Sequence, residues 1–400
     1  MKYYFFTLVI FVIGCTKPPQ PTDPTQPKLI WKTALQSSGL TGSIYPVVGS
    51  TSVLYSSWAT GGASEPIIAL NKQTGKKEWE WNDYPPSNNN IILDGSGYAR
   101  YMSNDKLIFS ISSRNYAIDM KTGKSLWYNK GDAATSYISG LGDMCFKIKS
   151  DQSTGNDLPY VSKCNINTGQ WQTVFTDTIV KDFQPSATFP LPYIDTNGDT
   201  LIYYLKNLYR FPPDESIRSL IYCFNMSKNK MIYSKDIFSK EGAGGFPIMY
   251  QNKIYLKSNN RLVCIDRLTG DKVWTTNSIN TSNSTFITFT VAEGKVLAGN
   301  ENNKLYCYDA ETGALIWEKD KATANTNDIN KPAVLNGILY YVSLGKLYAV
   351  DILTGEFLWQ YKANTGDSNL FLNRYMTVDP VAKRIYAHDF RNAYCFEAIK

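Results

Sequence analysis

An aspartate, a threonine and a tryptophan return together at fixed spacing along the chain. A carboxylate, a hydroxyl and an indole so grouped could form a site, with the indoles as a stripe for stacking sugars. The phrase reads Asp119-Met120-Lys121-Thr122-Gly123, followed by Trp127. Clear copies stand at Asn71, Thr74, Gly75 and Trp79; at Asp266, Thr269, Gly270 and Trp274; at Asp309, Thr312, Gly313 and Trp317; and at Asp351, Thr354, Gly355 and Trp359. Two copies are worn. Asn165, Thr168 and Gly169 lack the tryptophan, and the copy from Asn225 to Tyr233 has Asn229 in the glycine position. Asparagine is the residue that best replaces glycine at positive φ, so this second wear still predicts the same turn.

Other residues with chemical potential are few. His388 is the only histidine, and it stands beside Asp389. One imidazole excludes a histidine-rich metal site, and a Ser-His-Asp triad would have to be assembled at a strand end; an ordinary polar side chain is the simpler reading. Asp195-Thr196-Asn197-Gly198-Asp199 carries oxygen ligands at alternate positions as calcium loops do, but Tyr203 and Tyr204 stand where the closing carboxylate belongs. An Asn-Gly hairpin turn accounts for it better. No glycine-rich loop follows a strand and opens a helix, so nucleotide binding has no support. A net charge of +6 over 400 residues, without a Lys/Arg block, argues against nucleic acid.

The elements around the phrase turn it from a site into architecture. Alternating apolar runs such as Lys304 to Tyr308 and Ala314 to Trp317 flank it, which predicts a β-hairpin whose turn is set by the Asp or Asn oxygen, the Thr and the Gly. Two further strand-like runs lie upstream, as at Lys331 to Leu335 and Ile338 to Val342 joined by Asn336-Gly337. Each unit thus holds four antiparallel strands. No stretch keeps a helical apolar period, so the chain is all-β. Four-stranded units recurring every ~40–50 residues are propeller blades. The last unit stops at Lys400 without an outer strand, and Lys28-Leu29-Ile30-Trp31-Lys32 matches Ala314 to Glu318. The expectation is an eight-bladed β-propeller of four-stranded antiparallel blades, its ring closed by the N-terminal strand, which removes the free sheet edges. A small residue precedes the Asp by two places: Ala69, Ala117, Cys223, Cys264, Cys307, Ala349 and, in the last unit, Cys395. A bulky indole needs such a shallow neighbour, so the tryptophans read as glue between blades rather than a sugar stripe. Four of the cysteines are thereby buried alanine equivalents. Cys145 and Cys164 fall on neighbouring strands of the third unit, where they either pair across the hairpin or stay as two thiols.

Residues 1–14 read as a secretory signal, too short to span a membrane as a permanent helix. Val12-Ile13-Gly14-Cys15 resembles a bacterial lipobox, which implies cleavage before Cys15 and lipid on its thiol. Residues 15–27 carry five prolines and form a stiff polar tether, able to hold the propeller of residues 28–400 up to about 37 Å from the membrane. Thr16 resembles the residue found in the class sorted to the outer membrane. The orientation, periplasmic or cell-surface, stays open.

The repeat, Ala-x-Asp-x-x-Thr-Gly-x-x-x-Trp, resembles the PQQ-like propellers. One branch of these is the quinoprotein dehydrogenases and the other the non-enzymatic BamB-like outer-membrane assembly lipoproteins. The dehydrogenases typically carry adjacent cysteines over their quinone, and no two cysteines are adjacent here. No set of calcium ligands transfers either. The resemblance therefore implies the BamB-like branch: no catalytic residues, no cofactor, no metal, and a protein partner. A glycan-binding surface lipoprotein and a PQQ-dependent dehydrogenase are the alternatives.

Strand alternation puts the Thr-Gly turns and the first-to-second-strand turns on one face. Most long insertions, at 58–65, 82–90, 151–158 and 206–218, fall on the other, with 95–105 as an exception. Within 206–218, Asn207 to Pro213 is apolar and aromatic with one arginine, as interface cores tend to be. Trp58, Tyr84, Tyr209, Arg210 and Phe211 are the expected partner contacts.

Overall fold

The repeated turns build the expected hairpins. In a computed structural model of the chain, described over residues 27–35, 46–56, 66–83, 100–111, 114–130, 138–151, 158–177, 183–187, 189–210, 216–239, 241–258, 260–279, 286–301, 303–320, 332–343, 345–362, 376–389 and 391–399, the Asp or Asn oxygen holds each turn. Oδ1 of Asp119 accepts the backbone N–H groups of Lys121 at 2.9 Å and Thr122 at 2.8 Å. Asp266, Asp309 and Asp351 accept the same pair of donors, and so does Asn71. The glycine that follows takes positive φ, as at Gly123 with +70°. In the worn fourth copy Asn229 takes φ +50°, the substitution the sequence suggested.

The hairpins join into eight antiparallel sheets, and no helix occurs among the described residues. We number the blades by position: blade 1 at 47–81, blade 2 at 100–130, blade 3 at 138–176, blade 4 at 184–239, blade 5 at 244–275, blade 6 at 286–320, blade 7 at 333–362 and blade 8 at 376–397. Blade 4 departs from four strands, because its first strand is split into Gln184–Ala187 and Leu191–Ile194, both paired to Thr200–Arg210. The N-terminal strand Leu29–Ala34 pairs with Asn392–Glu397 and supplies the outer strand of blade 8. Trp31 lies opposite Cys395 in that pair, as Trp317 lies opposite Cys307. Ring closure by this strand is therefore as the match of the two sequences implied.

The core is distributed between the blades. Eight clusters of buried apolar side chains occur, and each joins two consecutive blades, the last one joining blade 8 to blade 1. The indoles lock these seams. Nε1 of Trp79 donates to the carbonyl of Met120 in the next blade's turn; Trp127 does so to Ile166, Trp274 to Ala310, Trp317 to Ile352 and Trp31 to Lys72. Tyr233 OH does the same to Arg267. Each ring rests on the glycine of that turn, so close that a methyl on Gly123 would lie 2.6 Å from Cδ2 of Trp79. The tryptophan column is glue, placed by a β-bulge that shifts the register just after the small residue, as at Ala117/Ile118.

Blade 3 breaks the pattern for a physical reason. Its bulge lies between Val161 and Ser162, so Trp171 sits opposite Cys164 and Thr173 opposite Ser162. Trp171 packs back toward blade 2, with the Lys147 ammonium 3.9 Å from its ring centroid. The seam between blades 3 and 4 then lacks an indole. It is held by Phe175 against Phe224 and Tyr204, and by a buried ion pair of Lys206 with Asp177 at 2.7 Å.

Candidate partner-binding face

The second-to-third-strand and between-blade connections leave from the face opposite the turns. The widest intervals between consecutive strands, from Ala34 to Val47, Trp81 to Arg100, Asp320 to Ala333 and Lys362 to Met376, all leave from it. The exception expected at 95–105 does not stand in its described part: Arg100–Ser103 is a strand that enters the next one through the two-residue turn Asn104-Asp105. The acidic loop on the turn face is a turn as well. Asp195 Oδ1 accepts the N–H groups of Asn197 and Asp199, and Asp199 pairs with Lys228.

On the opposite face blade 4 stands out. Its second and third strands, Thr200–Arg210 and Ser216–Asn225, pair continuously from Leu201↔Asn225 to Arg210↔Ser216. From its sequence 206–218 is expected to be a loop insertion. Residues 206–210 and 216–218 are ladder instead, because Asn207, Leu208 and Tyr209 find both a partner strand and the split first strand: Tyr209 lies opposite Ile217 on one side and Gln184 on the other. The effect is to carry two of the expected contact residues, Tyr209 and Arg210, to the tip of a sheet. Trp58, Tyr84 and Phe211 lie outside the described residues, as does Cys15.

The base of this tip is fixed by buried polar groups. Asn207 Oδ1 accepts the Ser219 hydroxyl at 2.6 Å and the Ala243 N–H at 3.2 Å; its Nδ2 donates to the Ala243 carbonyl at 3.0 Å. Ala243 N–H also donates to Ser219 Oγ at 2.7 Å. Two strands and the entry to blade 5 are thus tied through one satisfied network. Above it Tyr209 is half-buried and Arg210 exposed, with its guanidinium 5.8 Å from the Phe183 ring centroid. Arg218 bonds both carboxylate oxygens of Asp236, at 2.7 and 2.8 Å, on the exposed flank. Sequence reasoning missed Phe183, the Arg218–Asp236 pair and the Asn207 network, since each depends on a neighbour that only the split strand or the sheet brings near.

Nearby on the same face, half-buried Lys257 donates to the Phe286 carbonyl at 2.7 Å, and desolvation pulls its ammonium below the ordinary lysine range. The other conspicuous groups are committed to packing. His388 is buried, with Nδ1 3.2 Å from the Asp389 carbonyl and its ring edge-on to Tyr55. The Asp and Thr side chains of the repeat are engaged in their turns. An arginine over an aromatic ring beside a half-buried tyrosine, on a rigid sheet, is the composition of a protein-binding surface, where Arg and Tyr contribute more than their share of affinity.

A family described as "Outer membrane protein assembly factor BamB" matches residues 21–145 and 258–393. No curated protein matches the sequence. Among solved structures the chain is similar to the computationally designed Ika8 protein, with a TM-score of 0.63 and 11% identity over 93% of this chain and 100% of that one. It is similar to BamB from Moraxella catarrhalis at 0.58 and 15%, over 92% and 98%. It is also similar to a europium-containing methanol dehydrogenase at 0.60 and 16%, over 91% and 85%. Identities this low speak for the propeller alone.

Proposed function

The chain belongs to the family of the outer membrane protein assembly factor BamB, and on that footing we propose that it is a lipid-anchored, non-catalytic propeller that holds a protein partner in the bacterial cell envelope. The observation that carries this reading is the extended ladder of blade 4, which presents Tyr209 and Arg210 on a braced sheet tip. A rigid base lowers the ordering cost of binding, so such a tip suits recognition of another folded surface. The lipobox at Val12 to Cys15 and the proline-rich tether support attachment to the outer membrane.

The test is a photo-crosslinking residue placed at Arg210 in intact cells, with one at Lys121 on the turn face as the control. A discrete protein adduct from position 210 and none from 121 is expected. Y209A/R210A should weaken capture by a factor of about 10 or more, as loss of interface hot spots does. Equal labelling from both positions, or none from 210, would sink the proposed face. Cys15→Ala should release the protein from the membrane fraction. Quinone- and calcium-dependent dye reduction by the purified protein would overturn the non-catalytic reading.

A further inference from the structure

We propose that Cys145 and Cys164 form a modification site, a dithiol that an external disulfide closes into a cross-strand bond, with Cys164 as the sulfur that enters the exchange. The two residues are direct partners in blade 3. One pair further along, Met144 lies opposite Asn165, and the N–H of Ile166 donates to the Asp143 carbonyl across it. That bond makes Met144 and Asn165 a non-hydrogen-bonded pair, so Cys145 and Cys164 are the pair that exchanges both backbone hydrogen bonds. Cα atoms of such a pair stand about 5.5 Å apart, inside the roughly 4.4–6.8 Å that disulfides span. Directly opposed side chains share a face of the sheet, so the two sulfurs lie on the same side, and the bond closes with a small approach of the two strands. Both side chains are fully buried beside Ile108, Ala117 and Ile138. A hydrogen bond with Cys164, followed by burial, pushes the Cys145 thiol well above the ordinary range.

The other buried cysteines have no such partner. On the second-strand side, where Cys164 meets Cys145, Cys264 meets Tyr255, Cys307 meets Leu297, Cys395 meets Tyr386 and Cys223 meets Tyr203. A cleft of about 840 Å³ at the seam of blades 2 and 3 is lined by Asn129, Met144, Cys164, Gly169 and Trp171, and not by Cys145. In the reaction the Cys164 thiolate attacks one sulfur of a small disulfide, R–S–S–R, and one R–SH leaves as a mixed disulfide forms. The Cys145 thiolate then attacks the Cys164 sulfur and expels the second R–SH. The two protein thiols are oxidised by two electrons, the reagent disulfide is reduced, and the two thiol protons leave on the two R–SH products.

The test treats the folded full chain with oxidised glutathione, then alkylates under denaturing conditions and maps the peptides. Cys145 and Cys164 should be recovered joined, the other four described cysteines alkylated, and the melting midpoint raised by about 3 °C until dithiothreitol is added. Cys145→Ala should stop at glutathione on Cys164, and Cys164→Ala should leave Cys145 unmodified. Recovery of both wild-type thiols in alkylated form would overturn the pairing, and this mapping decides even where a variant does not fold. Glutathione on Cys145 in Cys164→Ala would overturn the order of attack.

Discussion

At Gly123 the backbone lies at φ +70°, and an added methyl would press on the Trp79 ring. The repeated glycine therefore serves its own turn and the indole of the preceding blade together. Gly142 has φ +57° and open space around it. Gly142→Ala should cost only the left-handed backbone penalty, about 1–2 kcal/mol. Gly123→Ala should cost about 2–4 kcal/mol, the same penalty plus overpacking. Urea unfolding of both variants measures the difference, and equal losses would remove the seam contact from the account. Two of the turn aspartates have a pH signature. The Thr312 N–H and hydroxyl hold Asp309 below the ordinary carboxylate range, and the Thr354 N–H does so first for Asp351. A carboxyl whose folded value is depressed contributes stability above the unfolded value, and loses it as the pH falls through the folded one. Stability should thus decline on acidification below about pH 4. Asn71 shows that an amide oxygen fills the same role. D309N/D351N should therefore match the wild type closely at pH 7 and show a shallower decline toward pH 3 in urea midpoints. An unchanged pH dependence would count against the turn carboxylates as its source.

Among the elements, the seam of blades 3 and 4 is the one built without an indole or a turn glycine. Lys206 and Asp177 are buried there as an ion pair, and removal of one charge takes from the other its opposite charge at 2.7 Å. Lys206→Met should cost about 3–5 kcal/mol, whereas K206M/D177L should recover most of it, since a buried ion pair and an apolar pair of similar volume are often near equal. Chemical denaturation of the single and double variants distinguishes this from simple loss of packing, in which the double variant would be the worse of the two. This seam also marks where the sequence stopped being legible. Turn chemistry is local, so Asp, Thr and Gly announced every regular hairpin, and the match of Trp31 to Trp317 announced closure. Thr173 in place of tryptophan told only that one lock was missing. What replaced it, Phe175 with Asp177 and Lys206, depends on a moved bulge and on side chains brought together from different blades. On the candidate face, composition singled out Tyr209 and Arg210, but within a segment expected to be a loop insertion. The pairing that turns 206–210 into sheet is a tertiary property, as is the approach of Phe183 to Arg210.

For the molecule as a whole, stability rests on whether the ring is closed, and closure rests on six residues at its start. Leu29–Ala34 pairs along Asn392–Glu397, Trp31 enters the cluster that joins blades 8 and 1, and its indole bonds the Lys72 carbonyl. Thr33 Oγ1 donates to the Gly75 carbonyl at 2.7 Å, and Lys72 pairs with the buried Asp379 at 2.7 Å across the same junction. Trp31→Ala alone should cost about 3–5 kcal/mol, as for other buried tryptophans. Deletion of residues 28–33 should cost more, since it also leaves one edge of blade 8 unpaired. The two architectures separate on where the loss is felt. In an open array, stability is a sum of units and neighbours, so loss of protection would be confined to blades 8 and 1. In a closed ring every seam is held by the one before it and the one after. Opening a single seam should therefore lower the melting midpoint of the whole protein, with hydrogen-exchange protection reduced in blades 3 to 6 as well as beside the cut. A melt identical to the wild type, or exchange changed at the junction alone, would mean that the strand completes blade 8 without closing the fold's cooperativity.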